Sequence, residues 1–286
     1  MKKQTIKNIF NKKNLPFILL FILGFSVMLY PVVSNLYYRT SSGAEIQHFD
    51  DQAEKLAKED IDRRMNLARA YNSTLDPSKM VDSFSKEEKE QGVAEYARML
   101  QLKELIGHVE VPKINQDLPI YAGTSDEVLE RGAGHLEGSS LPIGGPSTHT
   151  VITAHRGLPK AKLFRNLDKL KEGDIFYVRN LKETLAYEVD QKMIVKPNYF
   201  EPVMVVEGQD YATLLTCHPY MINSHRLLVR GHRVPYDPKK HEKDLKDMWK
   251  VYLPYISVAL IVVALLLTAY VRHRWKRKKK RMKADG

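Results

Sequence analysis

Two uncharged apolar runs stand near opposite ends of the chain, and each has a basic block on its outer side. Residues 14–38 hold no Asp, Glu, Lys or Arg, and Phe17 to Tyr30 is strongly apolar. Val251 to Val271 is also uncharged, bounded by Lys250 and Arg272. A helix needs about 20 such residues to cross the hydrocarbon core. Lys and Arg flanking a span gather on the cytoplasmic side. Residues 1–14 carry +5 and residues 272–286 carry +8, so both ends are expected inside and the intervening loop outside. This sets residues 1–14 as a cytoplasmic basic N-terminus, 15–38 as a transmembrane signal-anchor, 251–271 as a second transmembrane helix and 272–286 as a basic cytoplasmic tail. Val33-Ser34-Asn35 is a poor cleavage site, so the first span is read as uncleaved. Trp249, Tyr252, Tyr255, Tyr270 and Trp275 lie near the expected boundaries, as interfacial aromatics do.

The same partition settles the meaning of the net charge of +11, since the ends account for more than all of it and leave −2 between them. The middle of the chain therefore gives no reason to expect nucleic acid. The tail could bind anionic membrane lipid as well as set topology.

Between the spans the pattern changes once. Ala44 to Tyr71 has helical spacing, with Phe49, Ala53, Leu56, Ala57, Met65 and Ala68 on related faces. Asn72 to Phe84 is rich in turn formers, and Ser85-x-x-Glu88 has the form of a capping box opening a helix through Tyr96 and Met99. Residues 39–105 thus read as a helical region with a loop at about 72–84. From Ile106 onward the chain is β-rich, and residues 106–236 read as one β domain, joined by a linker at 237–250 to the second span. Strands are expected at Gly107–Val111, Leu118–Tyr121, Thr148–Ala154, Ile175–Val178, Leu185–Val195 and on both sides of Cys217. Short helices are expected at Ser125–Arg131 and Phe164–Leu170, with a glycine-rich loop at 132–145. Periodicity alone does not separate a closed barrel from a sandwich.

Chemistry concentrates in Tyr211 to Val234, YATLLTCHPYMINSHRLLVRGHRV, which contains the chain's only cysteine. Cys217 ends one strand-like run, and Arg226 begins the next after a turn-like segment. His155 ends a third run, in HTVITAHRGLP. A lone extracytoplasmic cysteine is inert, intermolecular or reactive. An imidazole that holds its proton makes it a nucleophile, and a guanidinium can stabilise an oxyanion. His218, His225 and His232 fit no zinc spacing and read as ordinary polar residues. No carboxylate cluster suggests a calcium loop, so no metal or cofactor is expected.

Thr213-Leu214-Leu215-Thr216-Cys217 matches the TLxTC signature of sortases, with His155 upstream and Arg226 downstream at that family's spacings. The chain resembles the class C, pilus-assembling sortases. The resemblance implies a mainly β fold: an eight-stranded sortase-type barrel with N-terminal helices and a lid loop, flanked here by the two spans. It implies Cys217 as nucleophile, His155 as general acid and base, and Arg226 as the oxyanion and substrate stabiliser, with Thr213, Leu214 and Thr216 supporting the motif. The family's lid carries an Asp-Pro-aromatic tripeptide, and Asp82-Ser83-Phe84 stands in the matching place, with serine for proline. Asp82 would pair with Arg226 and Phe84 would cover Cys217 and His155. Losing proline removes a fixed φ and should loosen the loop. Leu75-Asp76-Pro77 is a rival that lacks the aromatic.

The implied activity is cleavage of an LPxTG-type sorting signal between Thr and Gly through a thioester, then release by a pilin lysine as an isopeptide bond. The implied partners are pilin subunits, and the implied place is the membrane of a Gram-positive bacterium, with the catalytic domain outside. A housekeeping sortase that anchors proteins to peptidoglycan is the rival enzyme. A membrane-tethered scaffold with an inert Cys217 is the rival of another class.

Overall fold

The structure is a computed structural model, and it describes residues 15–75, 80, 82, 84, 95–248, 250, 253, 257, 261, 264 and 268. The chain divides at Tyr236–Asp237 into two compact units.

The first unit opens with a single 41-residue helix, α1 (Leu15–Lys55), that runs through Pro31. The helix continues past the expected boundary at 38 and takes in Ala44 onward. It stops where Ala57 is extended, and α2 (Lys58–Asn72) begins, so the expected segment Ala44–Tyr71 is two helices. Phe49, Ala53, Met65 and Ala68 are buried as their spacing implies, but Ala57 is exposed at the break. The loop 76–94 is described only at Met80, Asp82 and Phe84, so Ser83 and the Ser85/Glu88 box lie outside the described residues. Tyr96 and Met99 fall in a 3-10 helix, Glu95–Leu100, rather than an α-helix.

Eight strands then close into a barrel: β1 (Leu105–Val111), β2 (Gln116–Ala122), β3 (Ala133–His135), β4 (Thr148–Thr153), β5 (Ile175–Arg179), β6 (Thr184–Val195), β7 (Asp210–His218) and β8 (His225–Val234). The order round the barrel is β1-β2-β3-β4-β7-β8-β6-β5, with β5 pairing back to β1. Two contacts are parallel, β2 with β3 and β4 with β7; the rest are antiparallel. Closure thus answers the choice between barrel and sandwich. Gly107 makes part of it possible: a Cβ there would lie 2.2 Å from the Arg179 carbonyl oxygen, so only glycine lets β1 approach β5.

β3 falls inside the expected loop at 132–145. It has only three residues and no room to show alternation, and a Cβ on Gly134 would meet the Gly123 carbonyl oxygen at 2.4 Å. Ser125 caps α3 (Asp126–Arg131) by accepting from the Val128 N–H at 3.3 Å. The helix expected at Phe164–Leu170 is only a 3-10 turn, Leu167–Lys169.

All seven residues of β1 are buried, polar ones included, because α1 packs over β1 and β2. Tyr121 donates to Glu45 at 2.5 Å and Arg39 to Asn115 at 3.0 Å. Ser34 donates to the Lys160 carbonyl at 3.2 Å, and Asn35 accepts from the Lys162 N–H at 3.1 Å. A side chain bonded to a barrel loop is not in hydrocarbon, so a membrane-crossing part of α1 would end before Ser34 rather than at 38.

The second unit is described mainly by α4 (Pro238–Asp247), where the Asp237 carboxylate accepts from the Lys239 N–H at 2.9 Å and Pro238 fills the first helical position. Most of 251–271 and all of 1–14 and 272–286 lie outside the described residues. Among residues whose side chains are described, no helix is long and apolar enough to cross a membrane.

Candidate active site

The parallel pairing of β4 with β7 builds the site. Thr153 stands beside Leu215, so two residues further along each strand direction brings His155 level with Cys217. Antiparallel pairing of β7 with β8 sets Cys217 directly opposite Arg226. Three residues from distant parts of the sequence therefore meet at one end of the barrel. Cys217 and Arg226 are buried at 5% and 6% exposure, and His155 is partly buried.

The rest of the motif holds this end in place. Thr216 donates to the Ala154 carbonyl at 2.7 Å, tying β7 to the residue before His155. Leu214 is fully buried in the core. Thr213 meets His149 Nε2 at 2.7 Å, while His149 Nδ1 lies 3.0 Å from the Met204 carbonyl. A carbonyl only accepts, so Nδ1 carries the proton and Nε2 accepts from the threonine. Burial, with Arg230 nearby, pushes His149 down to about 4, which keeps it neutral for this role. The supporting threonines thus fix the strands around the site.

Asp82 and Phe84 lie over the site. Asp82 accepts from Arg226 Nε at 2.6 Å and from Nη2 at 2.5 Å, a forked pair whose side chains are 7% and 4% exposed for Arg226 and Asp82. The remaining Arg226 donor, Nη1, serves the Asn223 and His225 carbonyls, both at 2.9 Å. Burial alone would weaken the guanidinium's hold on its proton, but Asp82 and then Cys217 outweigh it and hold Arg226 above its ordinary value. The Phe84 ring is 5.4 Å from the His155 ring and 5.3 Å from the Arg226 guanidinium carbon. Met80, which the sequence did not single out, is buried in a small apolar cluster with Leu136, Val151, Val195, Val203, Leu215 and Leu228, and Phe84 packs against it.

Sequence reasoning also missed Arg156. Its side chain is 8% exposed, and Nη1 lies 2.5 Å from His218 Nδ1 and 3.5 Å from the Cys217 carbonyl. Nη2 lies 3.3 Å from Asp168. The available signal was its place next to His155, a charged residue just past the end of a buried strand. His218 is correspondingly more than an ordinary surface histidine.

One group of described residues could hold a cation, against the expectation from sequence: His108, Glu110 and Asp117, whose ligand atoms lie within 4.8 Å of one another. The sequence does not reveal it, because Asp117 reaches the other two only through pairing of β2 with β1. His108 Nδ1 is 2.8 Å from Asp117, and Nε2 is 3.6 Å from Asp50 on α1. Burial alone would lower the histidine, but its hydrogen bond to Asp117 and the nearby Asp50 carboxylate prevail and raise it to about 10. It is therefore an imidazolium that ties α1 to the barrel. A group raised on folding stabilises fully below its unfolded value, about 6.5, and loses that contribution as pH climbs through the folded value. We expect Tm to fall as pH rises from 7 to 10. In His108→Gln this slope should be visibly smaller. Parallel slopes in the two proteins would remove His108 from the account.

Comparison with known proteins agrees with this geometry. A family model described as the sortase domain matches residues 109–234. A solved structure described as a pilus-related sortase C of Group B Streptococcus is 60% identical and superposes with a TM-score of 0.65, covering 66% of this chain and 97% of that one. This chain belongs to the class C sortases. Sortase C-1 of Streptococcus pneumoniae is similar at 59% identity and TM-score 0.66, covering 68% of this chain and all of that one. Sortase A of Bacillus anthracis is 27% identical over 192 residues, 66% of this sortase and 86% of its relative. The sortase is a cysteine transpeptidase by family.

Proposed function

We propose that this sortase is a membrane-anchored pilin polymerase whose site is closed at rest by Asp82 and Phe84. The observation that carries the reading is the forked Arg226–Asp82 pair: the Nε/Nη2 edge occupied by Asp82 is the edge a substrate oxyanion would need. Opening of the lid frees that edge. Cys217, ionised with its proton on His155, attacks the Thr carbonyl carbon of an LPxTG-type signal. The oxyanion draws two N–H bonds from Arg226, a stabilisation that no substrate makes in the ground state to the same degree. His155 passes its proton to the Gly amine as the Thr–Gly bond breaks, leaving a Cys217 thioester. A pilin lysine then attacks the thioester carbonyl, His155 accepts its proton, and the Cys217 thiolate departs as the isopeptide bond forms.

Anchoring fits the same reading. Leu15 to Val33 gives a helical run of 19 residues ahead of Ser34, whose side chain bonds to the barrel, close to the roughly 20 that a crossing needs. Val251 to Val271 would make the second span, with both termini in the cytoplasm and the barrel outside. The test is Cys217-dependent cleavage of a signal peptide between Thr and Gly by the full-length protein, followed by covalent joining when a pilin with an acceptor lysine is supplied. Cys217→Ala should abolish both steps.

A further inference from the structure

Arg156 is buried between the end of β7 and the 3-10 turn that carries Asp168. β4 and β7 stop pairing at Thr153 and Leu215, two residues short of His155 and Cys217. Beyond that point the two chain ends are joined by the Ala154 N–H to the Leu215 carbonyl at 3.2 Å, by Thr216 to the Ala154 carbonyl and by the Arg156 grip, while the Phe164 N–H holds the His155 carbonyl at 3.1 Å. Arg156 spans from the His155 side to the residues on and after the nucleophile. A guanidinium has no acceptor, so His218 must offer the lone pair of Nδ1 and carry its proton on Nε2. The grip on the end of β7 therefore includes a neutral imidazole, a longer contact to the Cys217 carbonyl, and Asp168 as the ionic anchor on its 3-10 turn.

We propose that Arg156 is a positioning residue for acyl transfer, acting through His218 and the Cys217 backbone to keep Sγ level with His155. This rests on Cys217 being the nucleophile. It gives the reaction a built-in acid sensitivity. The groups facing His218 are Arg156, Asp168 and His225; burial and then Arg156 hold its pKa below the ordinary histidine value, with Asp168 opposing. When His218 does accept a proton, Nδ1 ceases to accept and two cations face each other. The grip then opens on the Cys217 side.

The test uses the full-length chain in detergent, carrying Asp82→Ala to unlock the site, and follows cleavage of a signal peptide across pH together with Tm. Arg156→Ala should lower kcat by about tenfold or more while KM stays within about twofold, since small misplacement of reacting groups costs rate rather than binding. Arg156→Lys should recover part of the loss. In His218→Asn the amide oxygen accepts the same N–H without titrating, so the acid limb of kcat should move to lower pH. Wild-type kcat in both Arg156 variants, or an acid limb unmoved by His218→Asn, would overturn the proposal. If Arg156→Ala does not fold, the lysine and asparagine variants decide. A parent that shows no Cys217-dependent cleavage overturns the underlying reading, and the inference with it.

Discussion

Arg226→Lys is expected to lower kcat/KM by about 10²–10³, although charge is conserved. Arg226 uses three nitrogens in two separate tasks: Nη1 grips the Asn223 and His225 carbonyls, and the Nε/Nη2 edge presents two parallel donors. The first task fixes the side chain; the second meets Asp82 at rest and the oxyanion during reaction. A lysine ammonium is a single point on a flexible stem and cannot do both. Loss of one oxyanion donor alone typically costs about 10²–10³ in kcat, and here the anchoring is lost as well. The effect should fall on kcat more than on KM, because the oxyanion exists only past the ground state. Turnover near wild type would remove Arg226 from the chemistry.

Asp82→Ala should act in the opposite direction, raising the rate at which a small alkylating agent modifies Cys217 by at least about tenfold. Breaking a buried ion pair by removing one partner costs about 3–5 kcal/mol when the other charge stays buried. Arg226 need not stay buried, because part of its cover is the lid itself. The cost is therefore discharged by opening, and each 1.4 kcal/mol that favours opening is worth about a factor of ten in the open population. Phe84→Ala should have a smaller effect in the same sense, since it removes the ring contact with His155 and a cation–π contact worth about 0.5–2 kcal/mol. Peptide hydrolysis should rise with alkylation in both variants. Unchanged rates in both would mean that these residues do not gate the site.

That Cys217, His155 and Arg226 belong together was legible because these residues are chemically rare in their settings. A single cysteine inside TLLTC, a histidine and an arginine at strand ends leave few alternatives. The contacts of Asp82 and Phe84 were legible only through the family pattern, since both look like any loop residues until Arg226 is placed against them. Met80 was not legible at all and Arg156 only by its place beside His155: one depends on an apolar cluster assembled from four strands, two loops and a 3-10 turn, the other on β4 lying parallel to β7. In the fold, strands with a solvent face showed alternation, as Leu185, Tyr187 and Val189 do in β6. β1 concealed its polar residues because α1 covers it, and β3 was too short to carry a period. Helix α1 runs through the expected span end at 38 without a break. Hydropathy marks where apolar residues end, whereas Ser34 and Asn35 already bond to the barrel inside that apolar run.

The central claim is polymerisation through Cys217. The direct measurement mixes the full-length protein with a pilin carrying an LPxTG-type signal and an acceptor lysine, and resolves the products on a denaturing gel. The account predicts a ladder of covalent multimers that appears with the wild-type chain, grows faster with Asp82→Ala and is absent with Cys217→Ala. A ladder that persists without Cys217, or signal cleavage without a ladder even when the lid residues are replaced, would contradict it.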